Sequence, residues 1–261
     1  MQGHNRLRLS VESHRATGDP GREGNGRKAD GGPTVEDVLR RSPLFAALDD
    51  EASNSLLKSM AEITLGRGDA LFHEGDPGDQ LYVVLEGKIK LGRSSGDGRE
   101  NLTAVIGPGE MFGELSLFDP GPRTSTATAL TATRLLSLGH TELQPWLSAR
   151  PEVARSLLRA MARRLRRTNE NMADLVFSDV PGRVAKALLD LSTRFGQPAG
   201  DDQEGIKVAH DLTQEELAQL VGASRETVNK ALADFAQRGW IKLEARAVVL
   251  LDTTRLARRA R

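Results

Sequence analysis

The chain contains no cysteine. That removes disulfides, cysteine-ligated zinc, iron–sulfur clusters and thiol redox chemistry from the options. Aromatic residues make up only 4% of it. No apolar run approaches the ~18 residues of a membrane-spanning helix. The N-terminus shows no basic stretch followed by an apolar core, so no secretion signal is expected and a cytoplasmic location is. Net charge of one sign is also missing, because 36 basic residues balance 36 acidic ones. A nucleic-acid binder usually carries a basic footprint, so any DNA contact has to come from local placement. The five histidines (His4, His14, His73, His140 and His210) are scattered without metal-ligand spacing, and no metal site is expected. No catalytic triad, phosphate-binding loop or paired-carboxylate arrangement points to an enzyme.

What the chain does have is one long helix pattern from Glu152 to Ser178. Ala154, Leu158, Met161, Leu165, Thr168, Met172 and Leu175 recur at spacings of four and three. That is the seam of a two-stranded coiled coil. Arginines occupy many of the positions between them. Pro151 suits a first helical turn, and the residue before Pro181 avoids helical geometry. A polar Thr168 on the seam, followed by Asn169, needs a partner from a ligand or a second copy. The alternative is an amphipathic helix on a domain core, with a threonine that merely sets register.

Around this helix the chain changes character. Residues 1–33 are rich in Gly, Arg and polar residues, with too little apolar area to offset the entropy of ordering; a disordered extension is expected. Gly24-Asn25-Gly26 superficially resembles a dinucleotide fingerprint but lacks a strand before it and a helix after it. A short helix capped by Thr34 is expected to Ser42, and a second, capped by Asp49, to about Ile63. From there to Leu138 come short strands and glycine-marked turns: Leu71-Phe72, the turn Gly75–Asp79, Leu81 to Leu85, Lys88 to Leu91, the hairpin signal Gly96-Asp97-Gly98, then Leu102 to Ile106 and Thr126 to Leu138. This spacing predicts a β-sandwich or jelly roll.

Inside the β region lies Gly113-Glu114-Leu115-Ser116-Leu117-Phe118-Asp119-Pro120-Gly121-Pro122-Arg123-Thr124-Ser125. A short helix at Leu115–Phe118 would offer free N–H groups to an anion. Arg123 supplies a planar cationic fork suited to phosphate. Glu114 supplies an acceptor for a sugar hydroxyl, and Thr124 and Ser125 add hydroxyls. The residues fit a ribose-phosphate pocket, or equally a surface Glu–Arg pair over a tight turn.

Beyond Pro181, Val184, Leu188, Leu191 and Phe195 mark a helix ending at Gly196, and Gln197 to Gly205 reads as a polar loop. Thr213 and Glu216 form a capping box. Leu217, Leu220 and Val221 are followed by the turn Gly222-Ala223-Ser224 and a second helix from Arg225. This is the spacing of a helix-turn-helix. Arg225 and Glu226 at that helix start can face base edges, while Thr213, Ser224 and Thr227 suit phosphate. A small helical domain with a solvated Arg–Glu pair is the alternative. Trp240 to Glu244 and Ala247 to Leu251 form a hairpin, the wing. Arg255, Arg258, Arg259 and Arg261 make a basic end, either on DNA backbone or solvated.

The segments Phe112 to Ser125 and Ser224 to Val228 resemble the phosphate-binding cassette and recognition helix of the cyclic-AMP receptor protein family of bacterial transcription regulators. The likeness runs from about Pro43 to Leu256 and is greatest to actinobacterial cyclic-AMP-responsive members. It implies an α+β protein. Residues 34–150 would form an N-terminal jelly-roll cyclic-nucleotide-binding domain, 151–178 a dimerisation helix and 179–261 a C-terminal winged helix-turn-helix. By resemblance, Gly113, Glu114, Leu115, Ser116, Arg123, Thr124, Ser125, Thr168 and Asn169 contact cyclic AMP, with cyclic GMP a possible substitute. Glu114 would hold the ribose hydroxyl and Arg123 the cyclic phosphate. Thr168 and Asn169 would meet the adenine from both subunits, although Asn169 stands where other members carry serine. Thr213, Gln214, Ser224, Arg225, Glu226, Thr227 and Lys230 would contact DNA, with half-sites that in relatives contain GTGA. The implied partners are an operator duplex, a second copy of the chain and RNA polymerase, with no membrane.

Overall fold

The computed structural model describes residues 34–94, 96, 100–119, 121–200 and 204–261. The expected extension over 1–33, including Gly24-Asn25-Gly26, lies outside the described residues. So do Asp97 and Gly98 of the hairpin signal and Pro120 of the cassette.

Two short helices come first. Helix α1 (Val35–Arg41) opens on a capping box between Thr34 and Asp37. Helix α2 (Asp50–Lys58) starts where the Asp49 carboxylate accepts the Ala52 N–H at 2.7 Å. The expected helix to Ile63 stops five residues early. Ser59 and Met60 tighten the last turn with bonds to Leu56 and Leu57. Ala61 to Leu65 then extends, because β-branched Ile63 and Thr64 favour a strand and Ile63 finds Leu135 across the ladder.

The strands that follow are β1 (Ala61–Leu65), β2 (Ala70–Phe72), β3 (Gln80–Glu86), β4 (Ile89–Ser94), β5 (Glu100–Ile106), β6 (Met111–Phe112), β7 (Thr126–Ala129) and β8 (Thr133–Gly139); the one-turn helix α3 (Leu115–Phe118) falls between β6 and β7. They build two antiparallel four-stranded sheets, ordered β1-β8-β3-β6 and β2-β7-β4-β5. Val84, Ile89, Leu91, Phe112, Ala127 and Leu135 fill the space between them. Thr126 to Leu138 is two strands rather than one, broken at Leu130–Ala132. The unbroken apolar run Leu81 to Leu85 has a reason: both faces of β3 are covered. Leu81, Val83 and Leu85 pack under Leu39, Leu44, Leu56 and Leu143 of the flanking helical segments.

Helix α4 (His140–Ala149) leads into α5 (Pro151–Phe177), the long helix, with Pro151 in its first turn. Asp179 caps α6 (Val180–Phe195) by accepting the Gly182 N–H at 2.9 Å. The expected loop after Gly196 begins instead as a short strand, β9 (Gly196–Pro198), paired with β10 (Ile206–Ala209). Residues 201–203 are outside the described set. Then come α7 (Gln214–Val221), α8 (Arg225–Gln237), β11 (Ile241–Glu244), β12 (Ala247–Leu250) and α9 (Thr253–Arg259). A third sheet runs β11-β12-β10-β9. Val184, Leu188, Leu217, Val228, Leu232 and Phe235 form its core, which also takes in Leu102 and Val105 of β5. The basic end is not a loose tail. Leu256 is fully buried, and Arg259 pairs with Asp179 at 2.5 Å.

Candidate functional site

Backbone pairing fixes Arg123 before its side chain does anything. Its N–H donates to the Asp76 carbonyl and its carbonyl accepts from Gly75, both near 2.9 Å, and Pro77 bridges to Pro122. The guanidinium then turns inward. Its Nη1 donates to the carbonyls of Gln80 (2.9 Å) and Gly113 (3.0 Å). The plane lies over Phe72 at 4.4 Å and near Tyr82 at 5.5 Å. Burial keeps the Tyr82 phenol protonated to higher pH than usual, against the lowering pull of Arg123. Two glycines make room. Gly113 has φ +82°, a left-handed value that glycine adopts freely. A Cβ on Gly78 would sit 2.6 Å from Ser116 Cβ and 2.8 Å from Arg123 Nε.

Glu114 follows Gly113 and is as buried as Arg123; the two are 2% and 4% exposed. They do not pair with each other. Glu114 Oε1 accepts from Arg164 Nη1 of α5 at 2.8 Å. Glu114 Oε2 and Arg123 Nε are buried with no hydrogen-bond partner among the described residues. Buried polar atoms are almost always satisfied, so such orphans ask for an explanation. One acceptor and one cationic donor, both free and both joined to Gly113, fit a ribose hydroxyl and a phosphate.

Other expected ligand residues are placed less tightly. Ser116 is buried beside Gly78, Leu115 is 52% exposed, Thr124 is exposed and Ser125 half-buried. Helix α3 is a single turn of four residues. It is too short for a summed dipole, which needs aligned peptides over several turns, so the attraction for an anion rests on Arg123. Thr168 and Asn169 are both exposed on α5, and the Thr168 hydroxyl donates back to the Arg164 carbonyl at 3.0 Å. The residue that joins α5 to the cassette is Arg164, one turn before Thr168. In the sequence it is one of the arginines between the seam positions, and its i−4 relation to Thr168 is the available signal. Phe72, Gln80 and Tyr82 were also missed.

Helix α5 shows two apolar faces. Val153 and Leu157 are buried against the sandwich core. On the expected seam, Leu158, Leu165, Met172 and Leu175 are 55–65% exposed, Ala154 and Met161 half-buried and Thr168 exposed. Leu175 also approaches Gly222 of its own chain, where an added Cβ would meet its Cδ2 at 2.9 Å.

The helix-turn-helix is built by local rules. Thr213 and Glu216 close a capping box at α7. Gly222 ends α7 with φ +70°, and Ser224 caps α8. Arg225, Glu226, Thr227 and Lys230 are exposed on the first turns of α8, as are Thr213, Gln214 and Ser224 around it. Glu226 pairs with Lys230 at 2.7 Å, and Asn229 Nδ2 donates to Gln214 Oε1 at 3.1 Å across the two helices. Arg183 locks the turn by donating to the carbonyls of Val221 and Gly222. Among the described residues there is no cluster of three or more potential metal ligands, and no helix long and apolar enough to cross a membrane.

A sandwich with a polar cassette, a long helix and a winged helix-turn-helix define the class: an effector-domain transcription regulator. Comparison with known proteins narrows it. Residues 62–150 match the cyclic nucleotide-binding domain and residues 182–259 the Crp-like helix-turn-helix domain. The chain is 56% identical over 227 residues to a CRP-like cAMP-activated global transcriptional regulator of Mycobacterium tuberculosis, covering 87% of this chain and all of that one. It is 35% identical to the cyclic AMP receptor protein of Thermus thermophilus over 82% of this chain and 97% of that one. A solved structure, the c-di-GMP responsive global regulator CLP of Xanthomonas campestris, aligns with TM-score 0.65 at 27% identity, covering 77% of this chain and 99% of that one. The chain belongs to the cyclic-AMP receptor protein family: it is a CRP-like DNA-binding transcription regulator with a cyclic nucleotide-binding domain.

Proposed function

We propose that the chain is a homodimer whose binding to a pseudo-palindromic operator is modulated by cyclic AMP. The observation that carries the ligand half is the orphaned pair, Glu114 Oε2 and Arg123 Nε, buried within one cassette. Glu114 takes the ribose hydroxyl, and Arg123, with Ser116, Thr124 and Ser125 nearby, takes the cyclic phosphate. Gly113 lets the phosphate approach the backbone. Arg164 is the hinge of the arrangement, since a sugar that engages Glu114 acts directly on a side chain of α5. Thr168 and Asn169, exposed one turn further on, meet the base from the two subunits. Each can donate and accept, so cyclic GMP, or action without effector, is the second outcome of the test.

The dimer reading is supported by the exposed stripe Leu158, Leu165 and Met172, which one protomer leaves in water. Replacing Leu165 with Lys should then yield monomers in sedimentation; dimers would place the seam elsewhere. On DNA, Arg225 and Glu226 read base edges with Lys230, while Thr213, Gln214, Ser224 and Thr227 hold phosphates. Two copies place two α8 helices about one helical turn of DNA apart, and RNA polymerase is the partner this position serves. The deciding experiment titrates a GTGA-containing palindrome with the purified protein, with and without cyclic AMP. Binding that tightens with cyclic AMP supports the proposal; equal binding in both arms removes cyclic AMP as the effector, and a third arm with cyclic GMP then separates another nucleotide from action without effector.

A further inference from the structure

Strand β7 leaves the cassette directly after Ser125, and its neighbour in the sheet is β4, with Thr128 opposite Lys90 and Ala129 opposite Ile89. Lys88 precedes β4 and is anchored by its N–H to Thr131 Oγ1 at 3.0 Å. The ammonium groups of both lysines reach the C-terminal half. Lys88 Nζ donates to the Ala209 carbonyl at 2.7 Å, pairs with the Asp211 carboxylate at 2.5 Å and lies 5.0 Å from the Phe195 ring. Lys90 Nζ pairs with Glu216 Oε1 at 2.6 Å. All four charged side chains are largely shielded, the most exposed being Lys90 at 27%.

Glu216 has a second task. Its other oxygen accepts from the Thr213 N–H at 2.8 Å and hydroxyl at 3.0 Å, closing the capping box of α7. One carboxylate therefore caps the start of α7 and ties it to β4. Burial pushes this carboxyl up, but the bonds from Lys90 and Thr213 outweigh it and hold it below the usual range. Asp211, the other anchor, has φ +61°, uncommon for a residue with a side chain. Its strained turn is where Lys88 grips. At the other side of the same contact, Arg194 of α6 pairs with Glu110 and bonds the Val105 carbonyl.

We propose that Lys88 and Lys90 are positioning residues for DNA reading: they clamp the start of α7 to β4, so the strand beside the ligand cassette sets the orientation of the helix-turn-helix. The apolar contact of Leu102 and Val105 with the C-terminal core supplies adhesion, which is non-directional. Charge-assisted bonds have defined geometry and supply the angle. The docked arrangement leaves Arg225, Glu226 and Lys230 exposed, so the clamp holds the unit with its reading face open. Partly buried ion pairs add little net stability, because desolvation offsets attraction; the clamp's effect falls on orientation. The inference rests on the DNA-binding reading above and adds a route within one subunit, distinct from any movement of α5.

The test uses the full-length protein as wild type, the double variant Lys88→Met/Lys90→Met and the charge-keeping double variant Lys88→Arg/Lys90→Arg. Each is titrated with cyclic AMP alone, with the GTGA palindrome at saturating nucleotide, and with a random duplex. The Met variant should lose about fivefold or more in palindrome affinity, the lower range of a site-to-site coupling. Its affinity for random duplex and for cyclic AMP should stay within about twofold, since phosphate-driven binding needs no fixed orientation. The Arg variant should retain most of the palindrome affinity. Hydrogen exchange should quicken across 206–213 in the Met variant and stay unchanged across 81–85. Palindrome affinity equal to or above wild type in the Met variant, or an equal loss on random duplex, overturns the clamp. If the Met variant does not fold, the single variant Lys90→Met decides by the same readouts. If the wild type itself shows no preference for the palindrome, the DNA assignment fails separately. Exchange across 206–213 then decides the clamp: faster supports it, unchanged overturns it.

Discussion

The cassette and the first turn of α8 use the same two side chains in opposite states. Glu114 and Arg123 are nearly inaccessible and held by backbone carbonyls, aromatic faces and Arg164. Arg225 and Glu226 are exposed, and Glu226 pairs with the exposed Lys230. On the proposed function, the difference follows from the partner. A small anion brings no walls, so the protein has to exclude water itself; inside, each charge-assisted bond is then stronger. A duplex brings its own groove, so the reading side chains stay solvated until the groove closes on them. Burial makes the first site rigid and expensive to disturb, and exposure leaves the second free to change without harming the fold.

The largest expected effect tests what a buried polar group does on the DNA side. His210 is 7% exposed, and its Nδ1 accepts the Leu212 N–H at 3.1 Å. Burial lowers its pKa to about 4, with Asp211 pulling it up and Lys88 pushing it down. The folded chain therefore excludes a proton that the unfolded chain binds below about 6.5. Stability should be full above that value and fall as pH drops toward 4, by up to about 3 kcal/mol. Urea melts at pH 7, 5.5 and 4.5 check this, with His210→Gln as the comparison. A wild-type slope no steeper than that of the variant would mean the imidazole is solvated.

Next comes Arg123→Leu. It should weaken nucleotide binding by about 1.5–3 kcal/mol, the range for a bond to a charged group. Because the Gln80 and Gly113 carbonyls lose their donor, thermal stability should fall too. Calorimetry with unchanged affinity would remove the cassette assignment, and unchanged stability would mean those carbonyls find water.

How much of this was legible in the sequence depends on distance along the chain. The cap at Thr34, the capping box of Thr213 and Glu216 and the turn at Gly222-Ala223-Ser224 follow from rules spanning three or four residues, and all appear in the structure. The long helix α5 was legible for the same reason. The α2–β1 boundary was not, because Leu56, Leu57, Ile63 and Leu65 suit either period. Arg164 was hidden because its partner Glu114 lies fifty residues away, and Lys88 and Lys90 because theirs lie more than a hundred away. Composition left the cassette undecided between a pocket and a surface pair. Burial removes the surface pair, and burial is a property of the whole sandwich.

The exposed site yields the smaller effects, and there stability and recognition should come apart. Arg225→Ala should lower operator affinity by about 1–3 kcal/mol and relax the preference at one base, with an unchanged melting temperature. Equal loss on every sequence would mean Arg225 touches phosphate. Glu226→Gln is smaller still. It removes a solvent-exposed pair with Lys230 whose i,i+4 type contributes about 0.3–0.5 kcal/mol, so melting should barely move. A glutamate that accepts from cytosine N4 has a different consequence when made an amide, because the amide donates as well as accepts. The preferred base at that position should broaden even though the fold does not notice. If instead the melting point falls by several degrees while the base preference holds, Glu226 serves the helix rather than the groove. The contrast between a walled site and an open one would then fail at the residue where it is easiest to measure.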